Sequence, residues 1–391
     1  MISSGTNNLL PIEADDLAAT EVIGAKARSL QQMTAFGLRI PSGFILTTGF
    51  FQPWFDIIQH SPSWDAWRTG TREMWPALCA AMKADALKLP FSDLQLLTLE
   101  ELSERLAKHG PSQRFAVRSS SPDEDTATAS FAGLYETELG RSPGELKTAI
   151  RRCFSACFDH RVFAYKAARC MDVEQLSIAL IIQVQIDSDV AGVGFSVNPL
   201  TNDYDETVID ANWGLGESVV AGTASPDHFV VDKVKGTVVE WRLGAKQASV
   251  VLAAATGTTT APHPQRGAYC LTEAQLLELS TAISGLETMY GHPVDMEWGY
   301  ANGKLSILQA RPITTYVPLP AEIVTMPGAR RALYMDIALS KGMTSNAAIS
   351  PIGLDWLAGD MALMLAHCTG NGRLDVKSPA GLLYLGGRGC T

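Results

Sequence analysis

Residues 295–315 read DMEWGYANGKLSILQARPITT, and the alternation of apolar and polar residues on either side of Asn302-Gly303 predicts two β-strands joined by a tight turn. The chemistry of this hairpin is unusual. Asp295, Glu297, Gln309 and Arg311 occupy alternate positions in segments whose other residues suit a half-buried sheet. A strict two-residue loop would pair Ala301 with Lys304 and put Glu297 on the face opposite Gln309. A three-residue loop, Ala301-Asn302-Gly303 with Gly303 left-handed in a bulge, changes that parity. Tyr300 then faces Lys304, Asp295 faces Gln309, and Glu297, Gln309 and Arg311 share one side. The other side carries Met296, Trp298, Leu308 and Ala310, a coherent core face, so the pattern favours the longer loop.

Two readings of the polar face stand side by side. It can be a cross-strand ion-pair ladder, which contributes about 0.2–1 kcal/mol per pair. It can also be a binding wall. Two acids and an amide oxygen suit a hard cation such as Mg²⁺, and an adjacent arginine suits phosphate oxygens through bidentate contacts. The ladder gives Asp295 and Gln309 nothing to do.

The chain has 391 residues, enough for two or three domains, and its 46% hydrophobic content with 33 Gly and 20 Pro is that of an α/β protein with a sizeable core. There is no apolar run long enough to span a membrane, and MISSGTNNLLPIEADD lacks the basic and apolar regions of a secretory signal, so the expected location is cytoplasmic, with no membrane partner. A net charge of −10 argues against a nucleic-acid surface. The seven cysteines show no CxxC pair or zinc spacing, and reduced, buried or half-buried thiols are expected.

Other elements carry basic or glycine-rich chemistry. Lys26 lies beside Gly24 at the expected start of a helix with Leu30, Met33 and Phe36 inward and Gly37 as its stop. By itself it reads equally as a solvated lysine. Arg118 sits in the strand FAVRSSS, 115–121, just before Asp123, Glu124 and Asp125, and pairing with that acidic turn is the plain alternative to a ligand role. In SFAGLYET, 130–137, Gly133 belongs to a small-residue turn able to close over phosphates through backbone amides. No Walker loop, complete GxGxxG, GxSxG, HExxH or kinase HRD pattern occurs. Thr272 and Gln275 form a capping box for a helix ended by Gly291, residues 54–87 and 144–169 read as helical, and LAAATGTTTAPHPQRG reads as a loop.

Taken in order, GAKARSL, FAVRSSSPDED, SFAGLYET, AGVGFSVNPLT, VIDANWGLGESVVAG and DMEWGY…LQARPIT resemble the ATP-binding domain of phosphoenolpyruvate synthase, pyruvate phosphate dikinase and rifampin phosphotransferase. The resemblance covers about residues 20–315. It implies an α/β (α+β) fold with an ATP-grasp-like nucleotide-binding domain of two or three subdomains over 1–315, a proline-rich linker over 316–332, and the start of a second, acceptor-binding domain over 333–391. It also implies ATP and Mg²⁺ as cofactors. Lys26, Arg118 and Arg311 would be the catalytic cations on the phosphates, and Gly133 would lie in the loop above them. Gln183, Val184, Gln185 and Ile186 would meet the adenine. Glu297 and Gln309 would hold the metal, with Asp295 a weaker candidate. Two departures touch the phosphate contacts: Leu134 follows Gly133 where the family often has Gln, and Gly-Ala-Lys replaces Gly-Gly-Lys.

Members of this family move a phosphoryl group from ATP to a histidine on a swivelling domain, and then to an acceptor. None of the seven histidines here has that carrier setting. The expected partner is therefore a histidine carrier in a longer chain or in trans, with the acceptor (pyruvate, an antibiotic or another small molecule) left open. An ATP-grasp ligase that forms an acyl phosphate, and a non-catalytic nucleotide-binding remnant, are the alternatives.

Overall fold

The computed structural model describes residues 8–14, 16–124, 135–253 and 257–318, with short pieces beyond. The chain divides into two units, Met1–Tyr316 and Val317–Thr391. Gly133 and the rest of 125–134 lie outside the described residues, as does most of 333–391.

The first unit begins with β1 (Leu9–Pro11), α1 (Thr20–Ala35), β2 (Gly43–Leu46), α2 (Thr48–Gln59), α3 (Pro62–Thr69), α4 (Trp75–Ala86) and α5 (Asp93–Ala107). It continues with β3 (Phe115–Ser120), β4 (Thr137–Arg141), α6 (Leu146–Ser155), α7 (His160–Ala168) and β5 (Ala179–Val184). These five strands form an antiparallel sheet in the order β1-β2-β5-β3-β4. Its central strand β5 is apolar from Ala179 to Ile182 because both of its faces are covered there. Leu180 and Ile182 point into a core shared with α2, α4 and α6, whereas Ala179 and Ile181 point into a second core shared with α1. Each such aliphatic side chain contributes roughly 1.5–3 kcal/mol when fully buried.

A second antiparallel sheet follows, built from β6 (Val190–Phe195), β7 (Glu206–Trp213), β8 (Asp227–Asp232) and β9 (Thr237–Arg242). The short helix α8 (Glu217–Val220) and a hairpin, β10 (Ser249–Ala253) and β11 (Gly257–Ala261), flank it. After α9 (Glu273–Tyr290) the sheet is completed by β12 (Val294–Ala301) and β13 (Lys304–Pro312), giving the order β13-β12-β6-β7-β8-β9. In the second unit the described strands are β14 (Leu383–Leu385) and β15 (Arg388–Cys390), an antiparallel pair. The architecture is α+β, with several antiparallel sheets.

Helix α1 ties the two large sheets together: the Ser29 hydroxyl donates to the Ala310 carbonyl on β13 at 3.0 Å. On its other side, the Ala25 amide donates to the Ser121 carbonyl at 3.1 Å and the Ala27 amide to Ser120 Oγ at 3.0 Å, next to the end of β3. The approach requires a glycine at position 24, where φ is +75° and a Cβ would lie 2.0 Å from the Ser120 carbonyl oxygen.

The hairpin corrects the expectation drawn from parity. Ala301 pairs directly with Lys304, so the loop has two residues, with Asn302 at φ +52° and Gly303 at φ +71°. These are the left-handed positions that favour Asn-Gly in such a turn. The parity is restored farther along. Trp298 pairs with Ile307 but Glu297 pairs with Gln309, which leaves Leu308 as an extra residue in a bulge. Glu297, Gln309 and Arg311 therefore do share one face, although Asp295 stands opposite Arg311 rather than Gln309. Leu308 is not a core residue as expected; it lines a cavity on the polar face, and Ile307 takes its place beside Trp298.

Other expectations shift more modestly. Leu30 and Met33 are buried, but Phe36 caps the end of α1 and is 52% exposed. The helical region 54–87 is divided among α2, α3 and α4, and a further helix, α5, follows it, opened by the Ser92–Gln95 capping box and burying Leu99, Leu102 and Leu106 on one face. The small-residue stretch assigned as a loop contains β10 and β11. Cys79, Cys153, Cys157 and Cys270 are buried, whereas Cys170 is exposed. The Thr272–Gln275 capping box and left-handed Gly291 frame α9 as expected.

Candidate functional site

A cavity of about 550 Å³ opens between the two large sheets of the first unit. From the first sheet it receives Ala116 and Arg118 on β3 and Gln183 on β5; Phe115 and Val117, at alternate positions of β3, are fully buried on the opposite face. From the second it receives Glu297, Leu308, Gln309 and Arg311, with Gly192 on β6. Lys26 enters from α1, Tyr135 and Thr137 from the start of β4, and Val184, Gln185 and Ile186 from the end of β5. Leu215 and Glu217 come from the turn that leads into α8. Of the sequence-derived candidates, Lys26, Arg118, Gln183, Val184, Gln185, Ile186, Glu297, Gln309 and Arg311 thus meet in one place. Asp295 is not among the lining residues and is 9% exposed.

Arg118 is the centre of the polar wall. Its Nη1 donates to the Leu308 carbonyl at 2.7 Å, a carbonyl presented by the bulge. Its Nη2 donates to Gln309 Oε1 at 2.6 Å and to Glu297 Oε2 at 3.3 Å. Two oxygen donors from neighbouring strands therefore converge on one cationic nitrogen, an arrangement that also fits a small dication. Among the described residues no cluster of three or more His, Cys, Asp or Glu is placed to hold a metal ion. A magnesium ion here would accordingly take Glu297 and Gln309, with phosphate oxygens and water completing its shell, which is its usual habit. Asp295 accepts from Arg311 Nε at 2.9 Å and from Nη2 at 2.7 Å, so it orients the guanidinium and is a poorer metal ligand.

The described residues of the acidic turn after β3, Asp123 and Glu124, do not pair with Arg118. Instead Glu124, 1% exposed, accepts from Lys26 Nζ at 2.8 Å and from the Ser121 amide at 2.8 Å. Asp123 pairs at 2.9 Å with Lys166, a nearly buried lysine with no distinguishing local motif. Two of the α1 amides are taken by Ser120 and Ser121, so Lys26 rather than the helix end is the cation offered to the cavity. Burial holds the Tyr135 hydroxyl protonated far above its ordinary range, and the neighbouring Cys157 and Glu124 act in the same direction. Glu217 was missed as well. Burial alone raises its carboxyl above the ordinary value.

Without a ligand, each cation of the cleft has an acid: Arg118 has Glu297, Arg311 has Asp295 and Lys26 has Glu124. The Arg118–Glu297 and Arg311–Asp295 pairs are partly exposed and open to exchange, whereas Glu124 is buried beneath Lys26 and anchors it. Fold and cleft together define an α+β domain with a cation-walled cavity between two antiparallel sheets. The family described as pyruvate phosphate dikinase, AMP/ATP-binding domain, matches residues 20–325, and the chain belongs to it. An uncharacterized phosphotransferase YvkC of Bacillus subtilis is 34% identical over 300 residues, 76% of this chain and 34% of the relative. A probable phosphoenolpyruvate synthase of Methanocaldococcus jannaschii is 32% identical over 308 residues, 75% of this chain and 26% of the relative. A rifampicin phosphotransferase of Streptomyces sviceus is 30% identical over 398 residues, 97% of this chain and 44% of the relative. The chain therefore spans less than half the length of these relatives.

No helix among the described residues is long and apolar enough to cross a membrane.

Proposed function

We propose that this chain is the Mg-ATP-binding module of a phosphotransferase, with an ATP-grasp-like site over 1–315, a linker over 316–332 and a separate segment over 333–391. The observation that carries this reading is the convergence of Glu297 and Gln309 on Arg118, in a cavity that also receives Lys26 and Arg311. A triphosphate with its cation can enter by exchange of partners. Arg118 would give up Glu297 and Gln309 for phosphate oxygens, and Glu297 and Gln309 would hold the metal. Lys26 and Arg311 each keep an anchoring acid while directing remaining donors at the phosphates. The metal offsets part of the charge of the triphosphate, so desolvating the pair costs less than inserting the bare anion would.

Bound magnesium would supply neutralisation of charge on the transferred phosphoryl group. The residues of the chain would do the rest by position: Lys26, Arg118 and Arg311 hold the phosphates in line and stabilise the negative charge of the transition state. Gln183, Val184, Gln185 and Ile186 would seat the adenine, and the segment containing Gly133 would cover the phosphates. A pyrophosphoryl group would pass from ATP to a carrier histidine on another domain or chain, releasing AMP; water would then remove the outer phosphate, and the phosphoryl group left on the histidine would go to a small-molecule acceptor.

The test is a calorimetric titration of ATP with and without Mg²⁺ on the native chain and on Glu297→Gln. Affinity should rise with Mg²⁺ in the native chain and lose most of that dependence in the variant. Equal dependence in both would remove Glu297 from the metal site.

A further inference from the structure

Glu217 opens α8 and lines the cavity, and among the described residues its carboxylate takes no hydrogen bond or ion pair. A half-buried acid without a partner is costly, and burial raises its carboxyl above the ordinary range. Its place in the cavity is set by the sheet beneath it. A Cβ on the preceding Gly216 would lie 3.6 Å from the Ala191 side chain and 3.8 Å from the Gly192 amide. Ala191 pairs with Gly299, whereas Val193, two residues on, pairs with Glu297. Gly216, which Glu217 follows directly, thus sits roughly 7 Å along the strands from the Glu297–Gln309 row, on the side away from Asp295 and Arg311. On that same side a Cβ at Gly299 would lie 2.5 Å from Ser188 Oγ, in the segment that follows β5. Gly216 and the segment after β5 therefore meet at the Ala191–Gly299 row, one row beyond Glu297 and Gln309.

We propose that Glu217 is the sugar reader of this site, accepting hydrogen bonds from ribose hydroxyls and selecting ribonucleotides over deoxyribonucleotides. The proposal rests on the reading that ATP occupies the cavity with its phosphates at Arg118 and Arg311. A carboxylate is suited to this position and to little else there. It repels phosphate, it lies a full row from the metal donors, and vicinal hydroxyls supply the donors it lacks; an acid on the ribose hydroxyls is a recurrent solution in nucleotide sites. A neutral base edge would gain less from a full charge.

The experiment is calorimetry of ATP, 2′-deoxy-ATP and 3′-deoxy-ATP, each with Mg²⁺, on the native chain, Glu217→Ala and Glu217→Gln. The native chain should bind ATP about tenfold to a hundredfold more tightly than at least one deoxy analogue, the scale of a charged hydrogen bond. In Glu217→Ala that ratio should collapse to near unity through weaker ATP binding, with the analogue's affinity almost unchanged. Glu217→Gln keeps the shape and one acceptor oxygen; it should retain part of the preference, and it serves if the alanine variant does not fold. A ratio that is the same in native and variant chains overturns the proposal, as does a native chain with no preference. If the native chain binds none of the three nucleotides, the nucleotide reading itself fails, a result distinct from an unchanged ratio.

Discussion

Glu297 and Gln309 face each other across β12 and β13 because one residue, Leu308, is extra in its strand. The same bulge turns the Leu308 carbonyl to Arg118 at 2.7 Å. One local irregularity therefore sets the parity of the polar face and supplies an acceptor that positions its central cation.

That relationship has a direct test in a deletion. Removing Leu308 would leave a regular hairpin with Trp298 opposite Ile307 and Glu297 still opposite Gln309. The chain should fold, losing about 1–2 kcal/mol in chemical denaturation for the missing Arg118 hydrogen bond, while ATP affinity falls. A deletion variant that fails to fold would show that the bulge does more than set this wall.

Arg311 is held in place by Asp295 through two nitrogens. We expect Arg311→Ala to weaken ATP binding by roughly 1.5–3 kcal/mol, the value of a lost charged hydrogen bond. Calorimetry that finds the same affinity would remove Arg311 from the phosphate contacts.

Gly24 marks the crossing of α1 and the end of β3, with φ +75° and backbone within 2.0 Å of an added Cβ. Gly24→Ala should cost about 3 kcal/mol or more in urea denaturation, since the strain cannot be relieved by turning a side chain. A loss under about 1 kcal/mol would mean that the crossing can open.

Glu217 also makes a prediction in pH. Burial raises its carboxyl in the folded chain, so the folded state holds its proton more tightly than the unfolded state does. The resulting stability is present below the ordinary glutamate range and is lost as pH rises through the raised value. Glu217→Gln removes this loss. The thermal midpoint of the variant minus that of the native chain should grow as pH rises from about 4 to neutrality; a difference independent of pH would contradict the unpartnered state of this acid.

Much of this site was legible because its residues carry strong local signals. Charged side chains at period two in an otherwise apolar hairpin announce a built polar face, and Arg118 within a strand does the same. The α9 boundaries followed from a capping box and a left-handed glycine. What could not be read was long-range. Asn302-Gly303 has ordinary two-residue turn chemistry, and nothing in SILQA marks the bulge that resets the parity. The pairing of Glu124 with Lys26 joins residues 98 apart in sequence. Glu217 looked like part of an incomplete glycine fingerprint, since only the assembled cavity reveals a carboxylate with nothing to bond. The β10–β11 hairpin was hidden by small residues that give no alternation of hydrophobicity.

Glu297 and Gln309 converge on Arg118, the central cation of the polar wall. The decisive measurement is a calorimetric titration of Mg-ATP into the native chain and into Arg118→Met, with circular dichroism confirming that both are folded. The account predicts micromolar-scale or tighter binding by the native chain and at least about tenfold weaker binding by the variant. Equal affinities in two folded proteins would contradict it.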